Sequence, residues 1–524
     1  MKSMKSSTYP RRGAGRLAAV AAAVALAIGL TGCGGGTSAT EGGGDSGGSS
    51  ELSIGYAFAP ETFDPIYAIA GAQASAHIQA IYGALIERDA DGVERPGMAE
   101  SWEWVDATTL TFKIRPDMTF TDGEKYDAEA VKKWIDYGRA AENTPYQNLS
   151  AVENVVVEDP LTVTLELNRP DPRLTKFFVG HMGAVPSPAS IDSGDLGIEP
   201  VGAGPYILDA DKTVVDNTYT YEKNPDYWDA DRFEFDTLVI KIYTDANAMY
   251  NALASGQVDV GYGNGSNYAA ADASDLEIFS QPQNANGISL YDIDGVNVPA
   301  FASKEVRQAL NYAIDKQSII DTVFQGQGTA SSLGFTPGSG PGYDESLLDY
   351  YEYDPEKAKS MLEEAGYPDG FSFDAVTLTK DQPMAEAVAG YLEEVGVTMN
   401  LVVRAPGETA NTDIGKYDAA AAAMGLADSF ATPPNLWLGP ASATNQRGHE
   451  DAEIRALYDQ AINAVGDEQA ALMEDIAQLS VEQAYGIQVG YVNSLTYYHA
   501  DKVADIMVLP AHGGPYILEG LTKP

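Results

Sequence analysis

The stretch Gly44-Asp45-Ser46-Gly47-Gly48 sets a serine in a pattern suited to acyl transfer. Such a serine reacts only when a packed fold holds a histidine base beside it. Residues 34–50 are almost entirely Gly, Ser, Thr and Ala, the composition of a flexible tether, and the nearest histidine is His77. Ser46 is therefore spacer. The five histidines (His77, His181, His449, His499 and His512) include no pair at metal-ligand spacing. The chain has no Gly-x-Ser-x-Gly elbow, no phosphate-binding glycine loop and no dinucleotide fingerprint. Nothing singles out two of its 76 acidic residues as a glycosidase pair. No catalytic residue, metal ligand or cofactor is assigned, and the chain reads as a non-enzyme.

One residue invites a different chemistry. Cys33 is the only cysteine in 524 residues, so no internal disulfide forms. It follows a basic segment (Lys2, Lys5, Arg11, Arg12, Arg16) and the apolar run 17–30. That run is too short to span a bilayer, and with its flanks it reads as a secretory signal. Leu30-Thr31-Gly32-Cys33 resembles the bacterial lipobox, in which the cysteine is acylated and becomes the mature N-terminus. The expectation is a signal peptide over 1–32, a lipidated Cys33 with a tether to residue 50, and export to the outer face of the cell membrane. Arg11-Arg12 hints at twin-arginine export, but Gly13-Ala14-Gly15 follows, and the general secretory route is favoured.

Charge excludes another class. The chain carries 32 basic and 76 acidic residues, net −44, and is more negative still without its basic leader. Such a surface repels phosphate backbones, so no nucleic-acid partner is expected.

The elements that position any site alternate between strand and helix periods. Residues 52–58 and 109–116 read as strands, and 152–167 as a hairpin turning at Asp159-Pro160. Residues 74–87 place Ile78, Ile81, Tyr82, Leu85 and Ile86 on one helical face. Asp245, Ser303 and Asp354 open helices, and Gly256 and Gly366 end two of them. Strand 371–378, helix 384–395 and strand 397–403 complete an α/β order. From Glu51 onward the length calls for two or three domains.

Six modest motifs then occur in order: TFDP (62–65), FTDGEKYDAEAVKKW (120–134), PVGAGPYIL (200–208), YEKNPDYWD (221–229), ALASGQVDV (252–260) and VRQALNYAIDKQSII (306–320). In this order the chain resembles the extracytoplasmic solute-binding proteins of the peptide/nickel class, family 5, that serve ABC importers. The resemblance covers about 51–520. It implies a two-lobed, periplasmic-binding-protein-like α/β fold with discontinuous domains and an extra N-terminal subdomain. Lobe I would comprise 51–85, 200–290 and 490–524, with 86–199 inserted beside it, and lobe II 291–489. It further implies a monomer that captures a small solute by hinge closure and delivers it to permease and ATPase subunits, touching the membrane through its lipid anchor only. A sensor lipoprotein would carry the same sequence features.

Peptide is the first cargo expected, with oligosaccharide or a metal chelate as alternatives. Peptide-binding members hold the ligand's ammonium with an aspartate in a Gly-Trp-x-x-Asp-like loop, which the resemblance maps to Asp428 in MGLADSFATPPNLW (424–437). Leu426 stands where the tryptophan is common, and a loop-capping role for Asp428 is the competing reading. Arg404 ends a strand and would meet a ligand carboxylate or a surface acid. Trp437 and Tyr262, with Asn264 and Asn286 in nearby loops, suit a sugar or a peptide backbone; core packing is the alternative for the aromatics. The glycines and aromatics of the motifs themselves are expected to specify fold, with Gly202 and Gly204 making tight turns.

Overall fold

The computed structural model describes residues 50–524 apart from 58, 69–71, 90–92, 142–148, 172–173, 264, 335–341, 405–415, 426–444, 446, 465, 505, 507–517 and 519–520. Its spine, among the described residues, is an eleven-stranded sheet. Numbered along the chain, the strands of this sheet are β1 (Glu51–Tyr56), β2 (Tyr206–Leu208), β3 (Thr218–Lys223), β4 (Thr237–Ile242) and β5 (Val260–Gly263). They continue with β6 (Glu277–Leu290), β7 (Gly328–Ala330), β8 (Phe371–Leu378), β9 (Val397–Arg404), β10 (Ala419–Gly425) and β11 (Gly486–Tyr498). In space the order is β9-β8-β10-β6-β11-β5-β1-β4-β3-β2, with β7 paired to β11.

Two large hydrophobic cores and smaller clusters beside them, among the described residues, hang on this spine. The first gathers Ile54, Tyr82, Phe112, Trp134, Tyr221 and Ile240, among others, from 52–260 and 503–521. The second gathers Ile288, Phe301, Leu310, Val388, Ile476 and Ile487 from 288–489. The segment 99–167 builds its own four-stranded antiparallel sheet, yet its inward side chains (Leu110, Phe112, Val163, Leu165) belong to the first core. Helix Ala128–Ala140, capped by Asp127, lies on that sheet and buries Val131, Trp134 and Ile135. The Trp134 indole donates to the Met182 carbonyl at 2.9 Å, which satisfies its one polar atom in the interior.

The sequence motifs are structural fasteners. Asp64 of TFDP is buried; it accepts from the Ile66 amide at 3.0 Å and from the Tyr137 hydroxyl at 2.8 Å, tying 62–66 to helix Ala128–Ala140. Asn224 of the NPD turn donates to the Gly204 carbonyl at 2.8 Å, so the two central motifs lock together. Gly202 and Gly204 are needed for a different reason from the tight turns expected. Neither has a positive φ; a Cβ on Gly202 would meet the Ile81 carbonyl oxygen at 2.0 Å, and one on Gly204 the Ile81 carbonyl carbon at 2.6 Å. The glycines admit the end of helix Ala72–Tyr82 against the chain.

The helix caps fall where the sequence places them. Asp245, Ser303 and Asp354 each accept a backbone amide in the first turn. The helix expected over 74–87 ends earlier, at Tyr82, because Gly83 takes a left-handed φ of 66°. Leu85 and Ile86 are buried all the same, with Ile86 opening a short strand.

Candidate functional site

Only β6 and β11 pass from one core to the other, among the described strands. They pair antiparallel along most of their length, with irregularities at Pro282/Asn284 and Asn286/Gly287. Directly opposed residues share a face, as do alternate residues of one strand. Along one face, Phe279 and Tyr498 pack on the first core, and Val492 packs on the second. Between them on that face come Thr496 with its partner Tyr262, then Ser494 with its partner Gln281. The opposite face of the same stretch is apolar: Leu495 and Tyr497 close over Met249 and Leu253. A neutral polar patch therefore occupies the gap between two oily cores.

The patch is partly satisfied. The Tyr262 hydroxyl is hydrogen-bonded to Ser494; burial pushes its phenol pKa up, and the Ser494 bond works against that shift. Ser494 and Thr496 are buried. Further along, Asn286 is 3% exposed and stands opposite both Gly490 of β11 and Ala423 of β10. Asn286 and Tyr262 thus lie on the sheet; Asn286 is not in a loop. The polar run around it extends as strand because β11, joined by β10 from Asn284 onward, satisfies its backbone.

Gly490 makes the crossing possible. Its φ of 150° belongs to glycine, and a Cβ there would meet the Thr329 carbonyl oxygen of β7 at 2.2 Å. With the two irregularities beside it, the strand pair is bent and locally interrupted at the point where it leaves one core for the other.

Arg404 lies elsewhere. It ends β9, three strand spacings or roughly 14 Å from β6. Its Nη2 donates to the Tyr417 hydroxyl at 3.3 Å and its guanidinium sits 5.5 Å from that ring's centre. The register nevertheless sets it level with the crossing: Arg404 pairs with Leu378, Thr377 with Ala421, and Ala422 with Gly287. Cys33, Asn264, Asp428 and Trp437 lie outside the described residues.

The chain just beyond 428–437 is firmly held. Arg447 pairs with Asp292 and, at 3.0 Å, with Asp418, and donates to the Tyr417 carbonyl at 3.2 Å. Asp292 also accepts from the amides of Val296, Asn297 and Val298.

The histidines do other work. His77 is fully buried among Tyr56, Phe63, Tyr219 and Tyr221, and His181 faces Ser75 at 3.2 Å. His449 meets Asp294 at 2.9 Å, and His499 bonds the Leu253 carbonyl at 2.8 Å. Among the described residues no cluster of three His, Cys, Asp or Glu side chains could hold a metal, and no helix is long and apolar enough to cross a membrane.

Gln281 and Ser494 escaped sequence reasoning. The signal was present in Ser280-Gln281-Pro282-Gln283-Asn284-Ala285-Asn286, a polar run flanked by apolar strand residues.

With this geometry in view, the relatives are informative. Residues 94–447 match the model of bacterial extracellular solute-binding proteins, family 5 Middle. The chain is 28% identical over 485 residues to Heme-binding protein A of Haemophilus influenzae, covering 83% of this chain and 85% of that protein. It is 28% identical over 399 residues to the Dipeptide-binding protein of Escherichia coli, covering 67% of this chain and 71% of that protein. NikA from Brucella suis, solved with Fe(III)-EDTA, superposes with a TM-score of 0.79 at 23% identity over 90% of this chain and 100% of its own. The fold is that of the two-lobed periplasmic binding proteins. The relatives are extracytoplasmic substrate-binding proteins of transport systems. The chain belongs to the family 5 solute-binding proteins of ABC importers.

Proposed function

We propose that this protein captures a peptide between its lobes and presents it to a membrane permease powered by an ATPase. The observation that carries this reading is the uncharged polar patch of Tyr262, Gln281, Ser494 and Thr496 in the gap between the cores. Donors and acceptors without net charge suit the amide groups of a peptide backbone, whose burial requires hydrogen-bond partners. The named specificities of relatives for dipeptide and glutathione agree with that choice. Within this reading Asp428 receives the peptide ammonium, Arg404 its carboxylate, and Trp437, Asn264 and Asn286 border the cleft. Lobe I is 51–85, 200–290 and 490–524 with 86–199 beside it, and lobe II is 291–489. Hinge closure at the β6–β11 crossing gives the closed form its greater affinity for solute. Cys33 carries the lipid that holds the protein, a monomer, at the outer face of the membrane.

The same patch would also accept the hydroxyls of an oligosaccharide, so the deciding experiment separates the two. The protein is purified gently from cells grown on complex medium and weighed by native mass spectrometry. A bound mass that fragments as a peptide supports the reading; a hexose ladder replaces it with oligosaccharide capture.

A further inference from the structure

Gln281 stands out within the patch. Its Nε2 is buried and has no hydrogen-bond partner among the described residues. A buried amide donor left unmade costs roughly 1–3 kcal/mol, which an acceptor on a bound molecule would recover. The place is specific. Gln281 is opposite Ser494, whose hydroxyl is engaged by Tyr262, and it is the last residue but one before the Pro282/Asn284 irregularity. On this face it therefore follows the final side chains of the first core and precedes Val492, which packs on the second. The donor thus sits at the crossing between the two cores, on a strand that β11 pairs here and that β10 joins only from Asn284 onward.

We propose that Gln281 is a solute-binding residue whose side-chain amide donates a hydrogen bond to an uncharged oxygen acceptor on the captured molecule, a backbone carbonyl if that molecule is a peptide. This rests on the capture reading given above and deepens it. It makes the centre of the site favour a carbonyl or hydroxyl oxygen, because one neutral amide offsets only part of the cost of desolvating a full charge. The neighbouring bend couples the contact to lobe arrangement: a solute bonded at Gln281 is held at the pivot itself, and its other contacts then reach it from both lobes.

The test uses the full-length chain, extracted in mild detergent from cells grown on complex medium. Native mass spectrometry gives the fraction carrying a solute and that solute's mass. Calorimetry of the emptied protein with the same identified solute gives its affinity. Gln281→Met keeps the side chain's size without its donor and is expected to weaken binding tenfold or more at an unchanged melting temperature. Gln281→Glu is expected to weaken it at least as much near pH 7 and to recover affinity as the pH falls below about 5, where the protonated carboxyl donates again. A residue with a merely structural role shows no such recovery. Wild-type affinity, within twofold, in both variants overturns the proposal and leaves the donor to water. Wild-type protein with no solute at all overturns the capture reading and this inference with it. A bound hexose ladder overturns the peptide reading while the Gln281 test proceeds on that sugar.

Discussion

Arg447 donates to Asp418 at 3.0 Å with one arm of its guanidinium and meets Asp292 with the other. One cation thereby fastens the chain just past β6, the residue just before β10 and the chain at 447, which are far apart in sequence. Asp292 is 1% exposed at its side chain and Asp418 12%, so neither carboxylate has much water to fall back on. Replacing Arg447 by Met leaves both without their counter-charge, though each keeps its hydrogen-bond donors. The expected loss is about 3–5 kcal/mol of stability, read from urea unfolding as a lower midpoint with an unchanged slope.

Asp428→Ala addresses the amine end of the proposed peptide. A charge-assisted bond in a desolvated cleft contributes at least about 1.4 kcal/mol, so affinity for the identified peptide should fall more than tenfold. Calorimetry that finds the affinity unchanged removes Asp428 from the site.

Acid should loosen the first core in a defined window. Burial drives the pKa of His77 down to about 3 and that of His181 to about 4. Both stay neutral in the folded protein, whereas the unfolded chain protonates them near 6.5. Their contribution is intact above pH 6.5 and declines as pH falls towards 4, by about 1.4 kcal/mol per unit for each histidine. Helix Ala72–Tyr82 feels both, through His77 on its own face and through Ser75 against His181. His77→Phe should therefore show a smaller drop in melting temperature between pH 7.5 and 4.5 than the wild type; an equal drop counts against the assignment.

Gly490→Ala tests the crossing. The added Cβ runs into the Thr329 carbonyl and the backbone angle is one that alanine avoids. A loss of about 2 kcal/mol or more is expected, with β7 displaced from β11. Hydrogen exchange should report faster exchange at Ala330 and Val492 in particular.

The sequence foretold local structure far better than it foretold the site. Caps at Asp245, Ser303 and Asp354 were legible because a side-chain oxygen next to an apolar stripe has few other uses. Leu85 and Ile86 misled because helical spacing continues across Gly83 although the backbone does not. The long central strands were hard to see: polar residues from Ser280 to Asn286 break the alternation that marks a strand, and their partners lie far along the chain. Arg404 drew notice by its charge at the carboxyl end of a strand. Gln281, an ordinary amide, becomes distinctive only once its burial and its missing partner are known.

The pairing of β6 with β11 also bears on how the protein is made. About 200 residues separate these strands, and β1 waits some 180 residues for β4. The spine of the sheet is thus incomplete until the last strand has left the ribosome. Contacts so distant in sequence close slowly, so the sheet that joins the two cores stays unformed for most of the synthesis, whatever local units such as 99–167 form earlier. A chain exported unfolded, as expected of the general secretory route, would gain time from that delay, its two lobes joining only on the far side.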